Sequence, residues 1–202
     1  MELVLIKSYK QLSLYEKDWL SILEANENRN PYLEYEFLYK LWLNLGQKEG
    51  IEIYAVKEHN RIIAFFPFHS KETWFGYILC FVAQNEFNTM DIIAKERDRD
   101  RVIMFVFDEL INMKKSVVFS LNGLFQNGNT LRNLSKYLQA RSMKEYLFVD
   151  NNIQLKSKSI SRDFSPYTTK TIFSTNTFRA KSYRNFLWTK EMIISKVKRN
   201  ST

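Results

Sequence analysis

Residues 51–69 read IEIYAVKEHNRIIAFFPFH, and this stretch decides the fold. Two runs rich in apolar, β-branched and aromatic residues, Ile51–Lys57 and Ile62–His69, flank the polar tetrapeptide Glu58-His-Asn-Arg61. Two such runs separated by a short polar turn are typical of a β-hairpin. Asn60 suits a left-handed turn position, because asparagine tolerates that backbone conformation. The stretch therefore predicts two antiparallel strands joined by a tight turn.

On the N-terminal side of the hairpin, the sequence predicts one strand and two helices. Glu2–Lys7 has the composition of a strand. Ser13-Leu-Tyr-Glu16 has the residue types of a capping box, which would open a helix carrying Trp19. Pro31 suits the first turn of the second helix, and Gly46 suits its C-terminal cap. The apolar residues of this second helix recur every three or four positions: Leu33, Phe37, Leu38, Leu41, Trp42 and Leu45.

On the C-terminal side, predicted strands and helices alternate. The predicted strands are Trp74–Ala83, Asn88–Ala94, Val117–Leu121 and Tyr146–Val149. The predicted helices are Arg101–Met113 and a segment around Leu131–Leu138. Consecutive strands followed by strand–helix–strand crossovers predict an α/β fold, in which a mixed sheet is flanked by helices on both faces.

Positive charge is concentrated near the C-terminus. The 202 residues include 30 Lys/Arg and 22 Asp/Glu, a formal net charge of +8. Residues 1–155 have a balance of −1 (19 basic, 20 acidic), and residues 156–202 have a balance of +9 (11 basic, 2 acidic). We therefore expect a folded domain over 1–155 and a basic tail over 156–202. Within the tail, the composition predicts a loop over 156–178 and an amphipathic helix over about 181–199.

Composition argues against several kinds of site. The single cysteine, Cys80, cannot form an internal disulfide, and two histidines, His59 and His69, cannot by themselves build a zinc site. The five glycines form neither a dinucleotide-binding nor a P-loop motif. The longest apolar run, Trp74–Ala83, is 10 residues, whereas about 20 are needed to span a bilayer. With no signal-peptide pattern at Met1, we expect a cytoplasmic protein without a metal.

The predicted order of elements resembles the GCN5-related N-acetyltransferase (GNAT) fold. The segments NPYLEYEFLYKLW (30–42), IIAFFPF (62–68) and NTMDII (88–93) resemble the N-terminal half of the CelD/BcsL-like acetyltransferases, which are associated with cellulose and exopolysaccharide formation and are distantly Fem-like. The resemblance covers about residues 10–155. It implies a GNAT-like mixed sheet with a basic C-terminal extension. If the chain is active, it implies acyl-CoA-dependent acyl transfer in envelope or exopolysaccharide biosynthesis.

One segment departs from the GNAT pattern. Active members carry a Gln/Arg-x-x-Gly-x-Gly/Ala loop before the central helix, and its amides bind the acyl-CoA pyrophosphate. The corresponding residues 94–101 read AKERDRDR and contain no glycine. The resemblance therefore implies that this chain has no cofactor site of its own and would use acyl-CoA only if a C-terminal domain supplied it. The implied partner is a second GNAT-like domain or, in a homo-oligomer, a second copy.

Polar residues after the run ending at Ala83 are the candidates for a site. Asn85, Glu86, Asn88 and Asp91 fall where the central strands of a GNAT fold separate into a cleft. A carboxylate there could orient an amine or accept its proton. Asp91 is the catalytic candidate, and the other three are candidates for the substrate cleft. The alternative, which the asparagine content favours, is a strand edge and turn without catalytic function.

Structural interpretations are favoured for two other features. The charges of Lys95–Arg101 alternate, which favours a solvated, self-paired helix entrance over an anion site. Cys80 lies in an apolar run with no histidine within 10 residues, which favours a buried, inert thiol. Neither His59 nor His69 is expected to be catalytic.

The basic tail has two interpretations. In Lys181–Arg199, apolar residues lie near one helical face and six Lys/Arg surround them. Packing of this helix against a partner domain is the favoured interpretation. The alternative is a noncatalytic binding module whose tail engages an anionic membrane or polymer, which would make the protein peripheral to the membrane. Nucleic acid is not an expected partner, because the sequence contains no RNA- or DNA-binding motif.

Overall fold

The computed structural model describes residues 1–25, 30–45, 50–74, 76–84, 89–114, 116–125, 128–141, 145–149 and 168–174. The strands are β1 (Glu2–Ile6), β2 (Ile51–Glu58), β3 (Arg61–Thr73), β4 (Gly76–Phe81), β5 (Ile93–Ala94), β6 (Val117–Phe125), β7 (Glu145–Val149) and β8 (Thr168–Ser174). The helices are α1 (Tyr9–Leu12), α2 (Glu16–Glu24), α3 (Tyr35–Leu45), α4 (Glu96–Lys114) and α5 (Asn129–Ala140).

The described strands form one mixed sheet. Their order is β1-β2-β3-β4-β6-β8-β7, and β5 also pairs with β3. Neighbouring strands are antiparallel except β4 and β6, which are parallel. This parallel pairing is short and joins Tyr77–Leu79 to Val117–Phe119. A parallel pair needs a long crossover, and α4 provides it.

The hairpin predicted at residues 51–69 is confirmed. β2 and β3 pair from Ile51 opposite His69 to Glu58 opposite Arg61. The two turn residues, His59 and Asn60, have φ values of 46° and 62°. Two consecutive left-handed residues are typical of a type I′ turn, whose twist matches that of the flanking strands.

Helices cover both faces of the sheet. The Trp19 ring of α2 lies 4.6 Å from the Phe65 ring, measured between ring centroids. The Phe107 ring of α4 lies 6.3 Å from the Phe66 ring. Because successive side chains of a strand point to opposite faces, α2 and α4 pack on opposite sides of β3. The predicted α/β class, a mixed sheet flanked by helices on both faces, is confirmed.

Two local predictions for the N-terminal helices are wrong. Ser13 does not open a capping box with Glu16; its hydroxyl donates to a backbone carbonyl of α1 at 2.8 Å, and α2 has no side-chain cap. A side-chain cap is found instead at the start of α1. The hydroxyl of Ser8, which follows β1, accepts from the Gln11 N–H at 3.2 Å. The proline also has a different position, since Pro31–Leu33 forms a separate 3-10 turn before α3.

The chain leaves the sheet after β4 and returns at β5. β4 ends at Phe81 and β5 begins at Ile93, and both pair with β3 on the same side. Pro67 of β3 lies at the gap between them, and its carbonyl accepts from the Val82 N–H at 3.0 Å. Proline is tolerated in this central strand because its missing N–H falls where a ladder bond is absent. The strand predicted over Asn88–Ala94 is shorter than expected, because among its described residues 89–94 only Ile93–Ala94 is strand.

The sheet extends into the predicted tail. β8 lies between β6 and β7 and pairs with both, beyond the boundary expected at residue 155. The prediction of a loop over 156–178 is therefore wrong for Thr168–Ser174. Its sequence, TTKTIFS, has the β-branched content of a strand, which the charge of the segment concealed. The rest of 156–202, including the helix predicted at about 181–199, lies outside the described residues.

Candidate functional site

The two parallel strands diverge just beyond their short pairing, and one side chain bridges the gap. Gln84 Oε1 accepts two backbone hydrogen bonds, from the Phe81 N–H at 3.2 Å and from the Asn122 N–H at 3.0 Å. Further along, the Met90 N–H donates to the Gly123 carbonyl at 3.2 Å. Gln84 and Met90 thus both bond to β6 beyond the residues that pair with β4.

β6 is irregular at the same place. Its register with β8 shifts between Leu121 and Leu124, and Gly123 has φ 90°, a conformation that favours glycine. A bulge of this kind bends a strand, and here it accompanies the separation of β6 from β4. Asn122 lies at the bulge, and its buried Oδ1 has no hydrogen-bond partner among the described residues. A ligand that donates a hydrogen bond here would remove the cost of leaving this oxygen unpaired.

Asp91 belongs to a polar cluster on the returning segment. Its Oδ1 accepts from the Ile92 N–H at 2.7 Å and from the Thr130 hydroxyl at 2.6 Å, and it lies 3.4 Å from Arg99 Nη1. Burial raises the pKa of Asp91, whereas Arg99 and the two hydrogen bonds act in the opposite direction. These contacts hold the Asp91 carboxyl in one position and give it a structural role. Its assignment as a catalytic residue stays a prediction.

Arg99 is the centre of this cluster. Its side chain is only 5% exposed and donates to the Ala94 carbonyl at 3.0 Å and to the Thr130 hydroxyl at 2.6 Å. It also forms an ion pair with Glu96 at 3.2 Å. The predicted solvated helix entrance is therefore wrong for Asp98 and Arg99, which are both buried, although the predicted self-pairing of charges is present. The reason is that α4 begins at residue 96, so its first turn already packs on the core.

The first turn of α4 is acidic. Glu96 and Asp98 lie there, where the helix dipole stabilises negative charge. Asp98 accepts from Arg101 at 2.7 Å. Arg101 also pairs with Glu58, and this contact holds the pKa of Glu58 below its usual value. Four charged residues of this segment, Glu96, Asp98, Arg99 and Arg101, are therefore paired with one another, with Asp91 or with Glu58 at the end of β2.

Cys80 and His69 are brought together by strand pairing. They are direct partners in the antiparallel register of β3 and β4, and Cys80 Sγ lies 3.6 Å from His69 Nδ1. The thiol is half-buried, so its predicted full burial is wrong. The sequence concealed this contact because the two residues are 11 positions apart. That the thiol is inert stays a prediction, and His59 lies in the hairpin turn as expected.

The remaining predicted candidates Asn85, Glu86 and Asn88 lie outside the described residues. Gln84 was not predicted, because a polar residue after an apolar run does not reveal where its side chain will bond. Within the described ranges, no group of three or more His, Cys, Asp or Glu residues is placed to hold a metal ion. Nor is any described helix both long and apolar enough to cross a membrane.

Comparisons with known proteins give matches only among solved structures. No protein-family profile and no curated protein matches the chain. A probable acetyltransferase from Staphylococcus epidermidis ATCC 12228 is 11% identical, with a TM-score of 0.48, over 87% of this chain and 99% of that one. A protein from Bacteroides thetaiotaomicron, described as an acetyltransferase from the GNAT family, is 12% identical, with a TM-score of 0.48, over 96% and 98%. An N-acetyltransferase from Staphylococcus aureus Mu50 is 12% identical, with a TM-score of 0.47, over 87% and 99%.

Proposed function

We propose that this chain is a GNAT-type acyltransferase homologue that contributes the acceptor side of an active site and does not itself hold acyl-CoA. Two features of the sheet support the GNAT assignment: an otherwise antiparallel sheet contains one parallel pair, β4 and β6, and this pairing is short and ends at Leu79 and Phe119. The crossover helix between the two strands is α4. These strands and this helix are part of the predicted order of elements that resembles the GNAT fold.

The observation that supports the second claim, that this chain does not itself hold acyl-CoA, is the acidic and internally bonded first turn of α4. A helix N-terminus binds phosphate when its amides are open and its surroundings are not acidic. Here Glu96 and Asp98 already occupy the favourable end of the dipole, and both would repel a pyrophosphate. Arg99, the buried cation of this turn, bonds to the Ala94 carbonyl and to Thr130 instead of facing outward.

The acyl donor would then come from elsewhere. We propose a second GNAT-like domain or a second copy of the chain as the partner that binds acyl-CoA. The resemblance to CelD/BcsL-like enzymes supports a role in envelope or exopolysaccharide biosynthesis, with an acceptor from that material.

Calorimetry of the full chain with acetyl-CoA tests this proposal. We expect no measurable heat of binding and no release of free thiol when the chain alone is incubated with acetyl-CoA. A GNAT enzyme that binds acetyl-CoA serves as the positive control under the same conditions. A one-to-one complex at micromolar concentration would overturn the proposal. If Glu96→Lys, which makes the turn more basic, tightened that complex, the cofactor pyrophosphate would lie at the first turn of α4; unchanged affinity would mean that the cofactor lies away from it.

A further inference from the structure

We propose that Cys80 is a modification site, at which the thiol forms a mixed disulfide with a small disulfide molecule and His69 acts as the base. The inference depends on one pair of side chains on β3 and β4 and does not require that the protein be an acyltransferase. It runs against the inert thiol that the sequence favours, because the sequence does not show that a histidine lies beside Cys80.

The two side chains are in contact. Cys80 of β4 and His69 of β3 are direct partners in an antiparallel pair, so their side chains leave the same face of the sheet. Cys80 Sγ lies 3.6 Å from His69 Nδ1. A thiol that gives its proton to an imidazole nitrogen becomes a thiolate, which is the nucleophilic form of cysteine. The His69 carbonyl, also 3.6 Å from Sγ, is the competing acceptor and would leave the thiol protonated.

Both side chains can be reached from solvent. Their neighbours along the strands, Phe68 and Phe81, are fully buried and point to the opposite face, whereas His69 and Cys80 are only half-buried. The other ring nitrogen of His69 lies beside Gly50, which is exposed, because a Cβ on Gly50 would be only 3.7 Å from His69 Nε2. One ring nitrogen therefore contacts the thiol and the other lies next to an exposed residue, which lets the imidazole exchange protons with water.

The position of Cys80 indicates the class of reagent. Cys80 is the only cysteine of the 202 residues, so a disulfide at this position needs a second molecule. A second copy of the chain fits poorly, because Cys80 lies within a strand that is paired on both sides. Two sheets packed face to face are about 10 Å apart, whereas the Cα atoms of a disulfide lie about 4.4–6.8 Å apart. A small disulfide does not have this limit.

The exchange reaction is balanced in atoms and electrons. The Cys80 proton passes to His69 Nδ1, and the thiolate attacks one sulfur of the disulfide R–S–S–R. The S–S bond of the reagent breaks as the new bond to Cys80 Sγ forms. The leaving thiolate takes the proton from His69 and departs as R–SH. The Cys80 sulfur is oxidised and the departing sulfur is reduced, so the reagent is the only oxidant required.

Reaction of the full chain with bis(2-hydroxyethyl) disulfide, a small neutral probe, tests the modification site. Mass spectrometry of the intact protein at neutral pH measures how fast one mercaptoethanol adduct forms, and Cys80→Ser provides the blank. An ordinary thiol is only a few per cent ionised at neutral pH. We therefore expect the native chain to react about tenfold faster than the urea-unfolded chain. A native rate equal to or below the unfolded rate, or a disulfide-linked dimer as the main product, would overturn the proposal.

Substitution of His69 tests its role as the base. His69→Ala should slow adduct formation about tenfold, and added imidazole, which fits the space left by the ring, should restore the parental rate. His69→Phe should stay slow with imidazole, because its ring fills that space. The other histidine provides the control, since His59→Asn should react like the parent.

Two results with His69→Ala would contradict this role. A parental rate would assign the thiol proton to the His69 carbonyl, and a slow rate that imidazole does not restore would leave His69 with a structural role only. If the His69 variants do not fold, the comparison of native and unfolded parent decides the question. Because acetyl-CoA is not used, these outcomes are independent of the proposed acyltransferase function.

Discussion

Replacement of Arg99 by methionine would show whether the first turn of α4 is a solvated, self-paired entrance or contains a buried guanidinium. A solvated, self-paired entrance predicts little loss of stability, whereas a buried guanidinium predicts a large one. Arg99 is 5% exposed, and Arg97, two positions away on the same turn, is 80% exposed. Arg99→Met and Arg97→Met are therefore matched variants that differ mainly in burial.

The magnitude follows from the partners of Arg99. Loss of the guanidinium leaves the Ala94 carbonyl and the Thr130 hydroxyl without this donor, and a buried group left unpaired costs about 1–3 kcal/mol. The pair with Glu96 adds little, because the Glu96 side chain is 61% exposed and exposed ion pairs contribute about 0–1 kcal/mol. Methionine retains most of the packing volume. We expect Arg99→Met to lower the free energy of unfolding by about 3 kcal/mol and Arg97→Met by less than about 0.5 kcal/mol.

The loss of unfolding free energy in Arg99→Met should also depend on pH. Arg99 opposes the effect of burial on Asp91, so its removal raises the pKa of Asp91 further. A carboxyl whose pKa is higher in the folded state stabilises the fold at low pH and loses that contribution as the pH rises through the folded pKa. The unfolded aspartate has the same pKa in both proteins, so the cost of Arg99→Met should grow as the pH rises from the folded pKa of Asp91 in the parent, which burial raises, to the higher folded pKa in the variant. Urea unfolding at several pH values measures both effects. Equal stability of the two variants would refute the buried network, and a cost that shrinks with rising pH would refute the role of Asp91.

Three further predictions concern the core, the hairpin and alkaline pH. Trp42 is 2% exposed and Leu43 is 48% exposed. Thermal unfolding should show that Trp42→Ala lowers the free energy of unfolding by about 3–5 kcal/mol and that Leu43→Ala changes it little. Similar melting of the two variants would contradict the assigned core. Asn60→Gly should leave stability nearly unchanged, whereas Asn60→Val should cost roughly 1–2 kcal/mol, because a β-branched residue is strained at φ 62°; equal stability of the two would show that the turn relaxes. Burial and the hydrogen bond to Glu52 raise the pKa of Tyr54, so the free energy of unfolding should fall above pH about 10, where the unfolded tyrosine ionises. This fall should be shallower in Tyr54→Phe. Identical pH dependence of the parent and the variant would contradict the prediction.

Local chemistry explains which parts of the fold could be predicted from the sequence. The hairpin is specified by residues next to one another, because alternating apolar runs and an Asn at the turn act over a few positions. Burial of Trp42 follows in the same way from helical spacing. The class of the fold follows from the order of such elements. β8 was missed because its strand-forming residues lie in a basic, serine- and threonine-rich segment, and its place between β6 and β7 depends on distant pairing.

The site could be predicted only in part, because its contacts join residues far apart in sequence. Asp91 was selected for its position, but its contact with Thr130 depends on the packing of α5 against α4. The Cys80–His69 contact depends on strand register. Gln84 reaches Asn122 only because two parallel strands separate. No periodicity or spacing in the sequence encodes any of these three contacts.

The missing glycine loop and the buried network at α4 are two consequences of the same residues. A phosphate-binding loop keeps its backbone amides open to the ligand, which requires small residues and few internal contacts. In this chain the same segment holds α4 against α5 through Arg99 and Thr130, and holds it against the hairpin turn through Arg101 and Glu58. Glycines introduced there would remove the side chains that stabilise the crossover. Glycine substitution at Asp98 alone should therefore lower stability without creating acetyl-CoA binding, because the Arg99 contacts to Ala94 and Thr130 would remain.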